Sequence, residues 1–286
     1  VVSMAIFAIE DMFIKQASAF FPTGQIITLL GLGGAVIFAL WSIVRREAPM
    51  PPALFRGAAL MRSIFEAVAT LCFTMALALV PLALFTTVMQ ANPLLVTLGA
   101  ALIFGHPVGW RRWSAIGIGL VGVLIVVRPF GSGFELTALW VVGGVILQAG
   151  RDLITSRVPR SITTLQISTA AFAALIPTGI VVAVVSGTPF VWPELEGWLR
   201  LGGAIGTGIP AIYAIIMANR IGDVSFVAPF RYSRIVFGLT LSVLVFGEVL
   251  DGYTLIGAAI IVASGLYTLA REAQLRRASQ RAQAAL

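Results

Sequence analysis

"LVFGEVLDGYTLIGAAIIVASGLYTL" occupies residues 244–269, and "LIFGHPVGWRRWSAIGIGLVGVLIVV" occupies residues 102–127. The two align without a gap at a shift of 142 residues. Leu102 falls on Leu244, Phe104 on Phe246 and Gly105 on Gly247. Further back, Met75-Ala76 falls on Met217-Ala218. Each stretch reads as the end of one apolar helix, a glycine turn and the start of another. The identities are few, so the aligned helix ends carry the comparison. The offset divides the chain into two halves.

Composition says what solvent those helices meet. Of 286 residues, 59% are hydrophobic and only 11% are charged, and the mean hydropathy is +1.00. A soluble domain carries roughly 25% charged residues. The chain therefore reads as an all-α polytopic membrane protein. A helix needs about 20 apolar residues to cross the bilayer core. Ten stretches meet that need: 1–21, 23–44, 58–79, 82–104, 113–128, 136–156, 164–186, 197–218, 224–246 and 252–270. The breaks between them, such as "RREAPMPP" (45–52) and "GTPFVWPELE" (187–196), collect Pro, Gly and charge. The first repeat covers 1–128, the second 136–270, and a basic tail 271–286. Each repeat holds five spans. Five is odd, so the two repeats are expected in opposite orientations, the inverted arrangement typical of secondary transporters.

The basic residues sort by side. One set of loops, with the tail, holds Arg45, Arg46, Arg56, Arg111, Arg112, Arg157, Arg160, Arg220, Arg271, Arg276, Arg277 and Arg281. The other holds only Arg128 and Arg200. This asymmetry predicts that both termini are cytoplasmic. It also explains the formal charge of +7 without a nucleic-acid partner. Glu10 and Asp11 spoil the apolar core that a cleavable signal peptide requires, so none is expected. Cys72 is the single cysteine and reads as a small packing residue.

Nine charges remain inside the spans: Lys15, Arg62, Arg151, Arg231, Arg234, Glu10, Asp11, Glu66 and Asp152. Facing lipid, they would cost roughly 25 kcal/mol together, more than a whole fold's stability. They must pair, reach the interface or face water. Helical spacing groups them into stripes. Asp11 and Lys15 share a face of the first span and read as an internal pair. Arg62 and Glu66 share one in the third, continued by Ser63, Thr70 and Thr74. Thr86, Gln90, Pro93 and Thr97 form a stripe in the fourth. Gln148, Arg151, Asp152, Thr155 and Ser156 form one in the sixth. Arg231, Tyr232 and Arg234 lie in the ninth, and Tyr213 in the eighth. Five striped helices predict a central aqueous cavity. Its lining is expected from Asp11, Lys15, Arg62, Glu66, Thr86, Gln90, Gln148, Asp152, Tyr213, Arg231 and Tyr232. Asn92 points away from the Gln90 stripe and reads as packing. His106 reads as a loop residue.

Glycines such as Gly31, Gly34, Gly119, Gly122 and the Gly202–Gly206 pair predict close helix packing. No phosphate-binding loop, HExxH or GxSxG motif is present, and one His with one Cys makes a nitrogen–sulfur metal site implausible. Neither an enzyme nor a cofactor is expected.

The ten spans and short loops resemble the drug/metabolite transporter superfamily, in particular its EamA-type members. "FGEVLDGYTLIGAAIIVASGL" (246–266) looks like the family's Gly-Glu turn and glycine-rich last helix, and "NPLLVTLGAALIFG" (92–105) is similar to its first-half counterpart. "MALALVPLALFTT" (75–87) and "MANRIGDVSFVAP" (217–229) look like the small-residue entrances to the fourth and ninth spans. Two positions depart from the pattern. His106 stands where the family usually has Glu, and Arg234-Ile235 where it often has an acid before Pro. Within the family the chain looks most like bacterial amino acid exporters of the YddG type. That resemblance implies a multi-pass protein of the bacterial inner membrane that exports aromatic and other amino acids. It also implies a cavity between spans 1, 3, 4, 6, 8 and 9.

The expectation is a secondary transporter working by alternating access. Arg and Lys would meet a substrate carboxylate, acids its ammonium group, and aromatic residues and Met its side chain. Buried carboxylates such as Asp11 or Glu66 are candidates to carry protons, which ion pairs to Lys15 and Arg62 would oppose. Another small metabolite, such as a nucleotide sugar or drug, is the alternative cargo. A non-saturating channel is the alternative class.

Overall fold

Pro93 shapes the middle of the fourth apolar stretch. It has no N–H, and its ring crowds the carbonyl one turn before it. In the computed structural model the predicted span 82–104 is accordingly two helices. Gln90 and Ala91 form the joint, with tight i→i+3 hydrogen bonds to Thr87 (3.1 Å) and Val88 (3.0 Å). The structure describes residues 1–105, 109–129, 136–221 and 228–284. Among them every regular element is a helix. The α-helices are α1 (Val2–Ala17), α2 (Thr23–Val44), α3 (Gly57–Leu79), α4 (Leu82–Met89), α5 (Asn92–Phe104), α6 (Trp110–Val127), α7 (Ala138–Thr155), α8 (Thr164–Ser186), α9 (Leu195–Ile221), α10 (Ser233–Phe246) and α11 (Gly252–Ala284). A 3-10 turn, Ala228–Tyr232, leads into α10. The basic stretch after residue 270 continues α11.

Among the described residues, seven segments are long and apolar enough to cross a membrane: α2, α3, α4 with α5, α6, α7, α8 and Gly252–Arg271 of α11. The outward-facing residues fit lipid. Val44, Leu102, Ile103, Val184, Val185 and Leu244 are exposed, and a soluble protein would bury most of such a set. This is a multi-pass membrane protein. α1, α9 and α10 fall outside the seven, and two of them are short, at 16 and 14 residues. They also carry Glu10, Asp11, Lys15, Arg200 and Arg234. α1 packs against both α9 and α10, so these polar helices shield one another.

The closest pairings are α2 with α8, α6 with α11, α3 with α7, and α1 with α9. Glycine makes the first two possible. A Cβ on Gly24 would stand 2.6 Å from the Gly179 carbonyl oxygen, and one on Gly257 2.8 Å from that of Gly122. Gly31 and Gly34 likewise sit under Leu175 and Phe172. Gly202 and Gly206 do not follow the prediction; a Cβ on either would meet open space. Phe21, Ile26, Leu77, Phe85, Leu94, Val141 and Ile261 belong to one buried cluster that crosses most of the bundle.

Helix ends are fixed locally. Thr163 and Gln166 form a reciprocal capping box at the start of α8. Gln166 also donates to the Ala48 carbonyl (3.0 Å), tying the α2–α3 loop to α8. Gly105 ends α5 and Gly247 ends α10, at φ +64° and +62°. Left-handed backbone of this kind suits glycine. The two glycines are the pair that the 142-residue shift superposed.

Candidate functional site

Four side chains from α3 and α7, with one from α5, form a continuous polar chain. Arg62 and Glu66 stand one turn apart on α3, and a guanidinium nitrogen lies 3.3 Å from the carboxylate. Arg151 of α7 donates to both Glu66 oxygens, at 2.8 and 3.0 Å. It also holds its neighbour Asp152, through Nη2 at 2.7 Å and Nε at 3.0 Å. Asn92, at the start of α5, donates to the other Asp152 oxygen at 3.0 Å. The order is therefore Arg62, Glu66, Arg151, Asp152, Asn92. Charges alternate along it, and the four charged members keep 15–23% side-chain exposure. Arg231 lies within electrostatic reach of Asp152.

The Asn92 contact corrects the packing assignment made from helical phase. Asn92 is buried, and its amide nitrogen meets a carboxylate across a helix pair. Phase along one helix cannot reveal such a contact.

A second pair corrects the first-span reading. Asp11 is buried, but its partner is Arg234 of α10 rather than Lys15. Arg234 donates to one Asp11 oxygen through Nη2 (2.6 Å) and Nε (3.2 Å) and lies over the Phe7 ring, 5.1 Å from its centroid. Lys15 turns instead to the end of the bundle where α3 stops and α4 starts. It donates to the carbonyls of Val80 and Leu77 and stands 3.7 Å from Glu248. Lys15 is only one turn beyond Asp11, but α1 ends there, and the free carbonyls of α3 compete for its ammonium group. Glu10 faces α9, with its carboxylate against Gly208.

The other predicted residues divide. Gln90 is buried with its amide nitrogen unpaired, and Gln148, one turn before Arg151, has its carbonyl oxygen buried and unpaired. Both qualify as groups waiting for a partner. Thr86 is fully buried, donates to the Leu82 carbonyl and presses on Gly238 of α10. That is a helix contact, one the stripe reading placed in the cavity. Tyr232 is buried against Gly265 of α11, with its hydroxyl unpaired. Tyr213 belongs to α9, but its side chain lies outside the described residues, as does His106.

Arg151, Arg234, Asn92 and Glu248 take part beyond the predicted lining. Arg151 was legible as a stripe member. Glu248 was visible only as part of the Gly-Glu turn, and its partners were not, because its contacts with Leu82 and Ala83 span 166 and 165 positions.

Charges of both signs, gathered inside a bundle of apolar helices, suit a polar solute crossing lipid. The sequence matches the EamA-like transporter family over residues 1–128. Over that stretch the chain is similar to an EamA-like transporter domain. The matched stretch holds Asp11, Lys15, Arg62, Glu66, Gln90 and Asn92, and from the rest of the chain Arg234 meets Asp11, Glu248 meets Lys15, Arg151 meets Glu66 and Asp152 meets Asn92. The chain is 30% identical over 179 residues to a riboflavin transporter of Vibrio cholerae, covering 62% of this chain and 58% of that protein. It is 26% identical to an S-adenosylmethionine uptake transporter of Rickettsia prowazekii, covering 70% and 67%. It is 25% identical to the pseudopaline exporter CntI of Pseudomonas aeruginosa, covering 90% and 89%. A solved crystal structure superposes with a TM-score of 0.63 over 96% of both chains at 20% identity, which speaks for the fold.

Proposed function

We propose that this protein is a secondary transporter of small polar metabolites, with amino acids as the cargo and export from the cytoplasm as the direction. The observation that carries the reading is the chain Arg62–Glu66–Arg151–Asp152–Asn92. It offers guanidinium groups to a carboxylate and carboxylates to an ammonium group, side by side inside a lipid-facing bundle. The unpaired atoms of Gln90 and Gln148 add a donor and an acceptor.

Transport by alternating access is supported by the helix pairings. Exchange the first five spans with the last five. The α1–α9 contact then becomes the α7–α3 contact, and α1–α10 becomes α7 with α4 and α5. The α2–α8 and α6–α11 pairs map onto themselves. A bundle built this way suits ten spans in two inverted repeats that rock about a central site. The names of the relatives favour a transporter over an enzyme. They include both an uptake transporter and an exporter, so the direction rests on the likeness to amino acid exporters.

A larger heteroaromatic cargo is the second reading. The riboflavin transporter likeness, at 30% identity, favours it. Counterflow in proteoliposomes separates the two. Liposomes preloaded with one amino acid should accumulate labelled amino acid. No amino acid counterflow, together with accumulation of riboflavin or a nucleotide sugar, would discard the proposed cargo. Flux that fails to saturate and shows no trans-stimulation would replace the carrier by a channel.

A further inference from the structure

We propose that Glu248 and Lys15 form a releasable latch that closes one end of the bundle, an inference that rests on the transporter reading above. The latch sits where α3 ends and α4 begins. Pro81 supplies the entry to α4, and α4 has no side-chain cap of its own. Its first two N–H groups, on Leu82 and Ala83, donate to the two Glu248 oxygens at 2.7 and 2.9 Å. The carboxylate thus caps a helix N-terminus in a fork, where the helix dipole favours negative charge. At the end of α3, the carbonyls of Leu77 and of the capping residue Val80 accept from the Lys15 ammonium group. That is the matching arrangement for a C-terminus. The two caps face one another at 3.7 Å.

Three remote segments meet here. Lys15 ends α1, residues 77–83 turn from α3 to α4, and Glu248 follows α10. The left-handed Gly247 turns the chain so that Glu248 points back over the bundle end. The Phe246 ring lies beneath Lys15, 5.5 Å from the ammonium nitrogen. So an acid from the second half fastens the α3–α4 turn of the first.

The contacts suit release. They are side-chain caps on helix ends, so separating them breaks no helix. α4 is only eight residues long and is followed by the Gln90–Ala91 joint, so it can shift as a unit. A cleft of about 460 Å³ adjoins the latch and is lined by Lys15, Leu77 and Phe246 among others. Water from that cleft can satisfy the freed N–H and carbonyl groups. A solute moving between α1, α4 and α10 toward this end must pass the latch.

Ser242 gives the test. Gly238 of α10 touches Thr86 of α4, so Ser242, one turn on, lies just beneath the latch, and it is fully buried. A Ser242→Cys reporter in a Cys72→Ala background is exposed to a membrane-impermeant maleimide in proteoliposomes. With the latch intact, labelling is expected to be slow from both sides. Glu248→Ala should raise the labelling rate from the cleft side roughly tenfold or more, as the loss of charge-assisted hydrogen bonds implies. Glu248→Gln keeps an acceptor oxygen and should rise less, and Lys15→Met should fall between. Should Glu248→Ala not fold, Glu248→Gln and Lys15→Met carry the test. Unchanged labelling in the folded variants overturns the latch. Faster labelling without counterflow of any solute would keep the latch and remove the transporter reading. Counterflow with unmoved labelling would do the reverse.

Discussion

Asp11 of α1 is held by Arg234 of α10, a residue 223 positions away, and not by Lys15 one turn along its own helix. The pair joins the first helix of the first half to the penultimate helix of the second. Asp11 is 5% exposed, and the Arg234 guanidinium is the counter-charge its carboxylate meets there.

Removing either partner should therefore be more damaging than removing both. Asp11→Asn leaves Arg234 buried without its counter-charge, and Arg234→Met strands the carboxylate. Each is expected to lose about 3–5 kcal/mol. The double variant Asp11→Asn with Arg234→Met should recover much of this. Melting temperatures of the detergent-solubilised variants measure the effect. Equal losses in single and double variants would show that the two residues do not depend on each other.

Arg151 and Arg62 look alike in sequence but differ in what they hold. Arg151 spends three nitrogens on two carboxylates, whereas two Arg62 nitrogens are buried without partners. Lysine cannot reproduce a planar fork. Arg151→Lys should therefore lower counterflow by roughly tenfold, and Arg62→Lys by much less. The reverse order would move the centre of the site toward α3.

Much of the architecture was legible because it depends on local chemistry. Apolar stretches of membrane length, Pro and Gly breaks, and the superposed Gly105 and Gly247 turns all follow from nearby residues. The stripe on α3 was legible for the same reason, since Arg62 and Glu66 meet within one helix. Pairings between helices were not. Helical phase placed Asp11 with Lys15 and turned Asn92 away, because it reports which residues share a face and not what stands opposite. Glu248 stood out only as the acid of the Gly-Glu turn, since nothing near it in sequence shows that α4 lacks a cap. The Gly202–Gly206 motif failed differently. Small residues permit close packing, but a partner helix must be there to use them.

Those glycines give a clean contrast. Gly24→Ala would drive a methyl to within 2.6 Å of the Gly179 carbonyl oxygen and 2.7 Å of the Ala183 nitrogen. Both are backbone atoms and cannot rotate aside, so α2 and α8 must separate. A loss of about 1–3 kcal/mol is expected. Gly202→Ala and Gly206→Ala meet nothing and sit inside α9, where alanine is the better helix former, so they should be neutral or stabilising by up to about 1 kcal/mol. Thermal unfolding followed by size-exclusion fluorescence ranks the three. A Gly202→Ala loss as large as that of Gly24→Ala would mean that α9 packs against a further partner in the membrane.

Gln90 separates stability from transport. It stands at the joint between α4 and α5, is 5% exposed, and leaves its amide nitrogen without a partner. A buried donor in that state costs about 1–3 kcal/mol. Gln90→Leu keeps the volume and removes the donor, so the melting temperature should hold or rise. If the amide serves a solute during transport, counterflow should fall and its half-saturation concentration should rise by roughly tenfold, the weight of one hydrogen bond to a charged group. Gln90→Glu restores an acceptor but no second donor and should not rescue. A Gln90→Leu protein that is stable and transports normally would assign Gln90 to helix packing. The recognition chemistry would then rest on Arg151, Asp152 and Asn92.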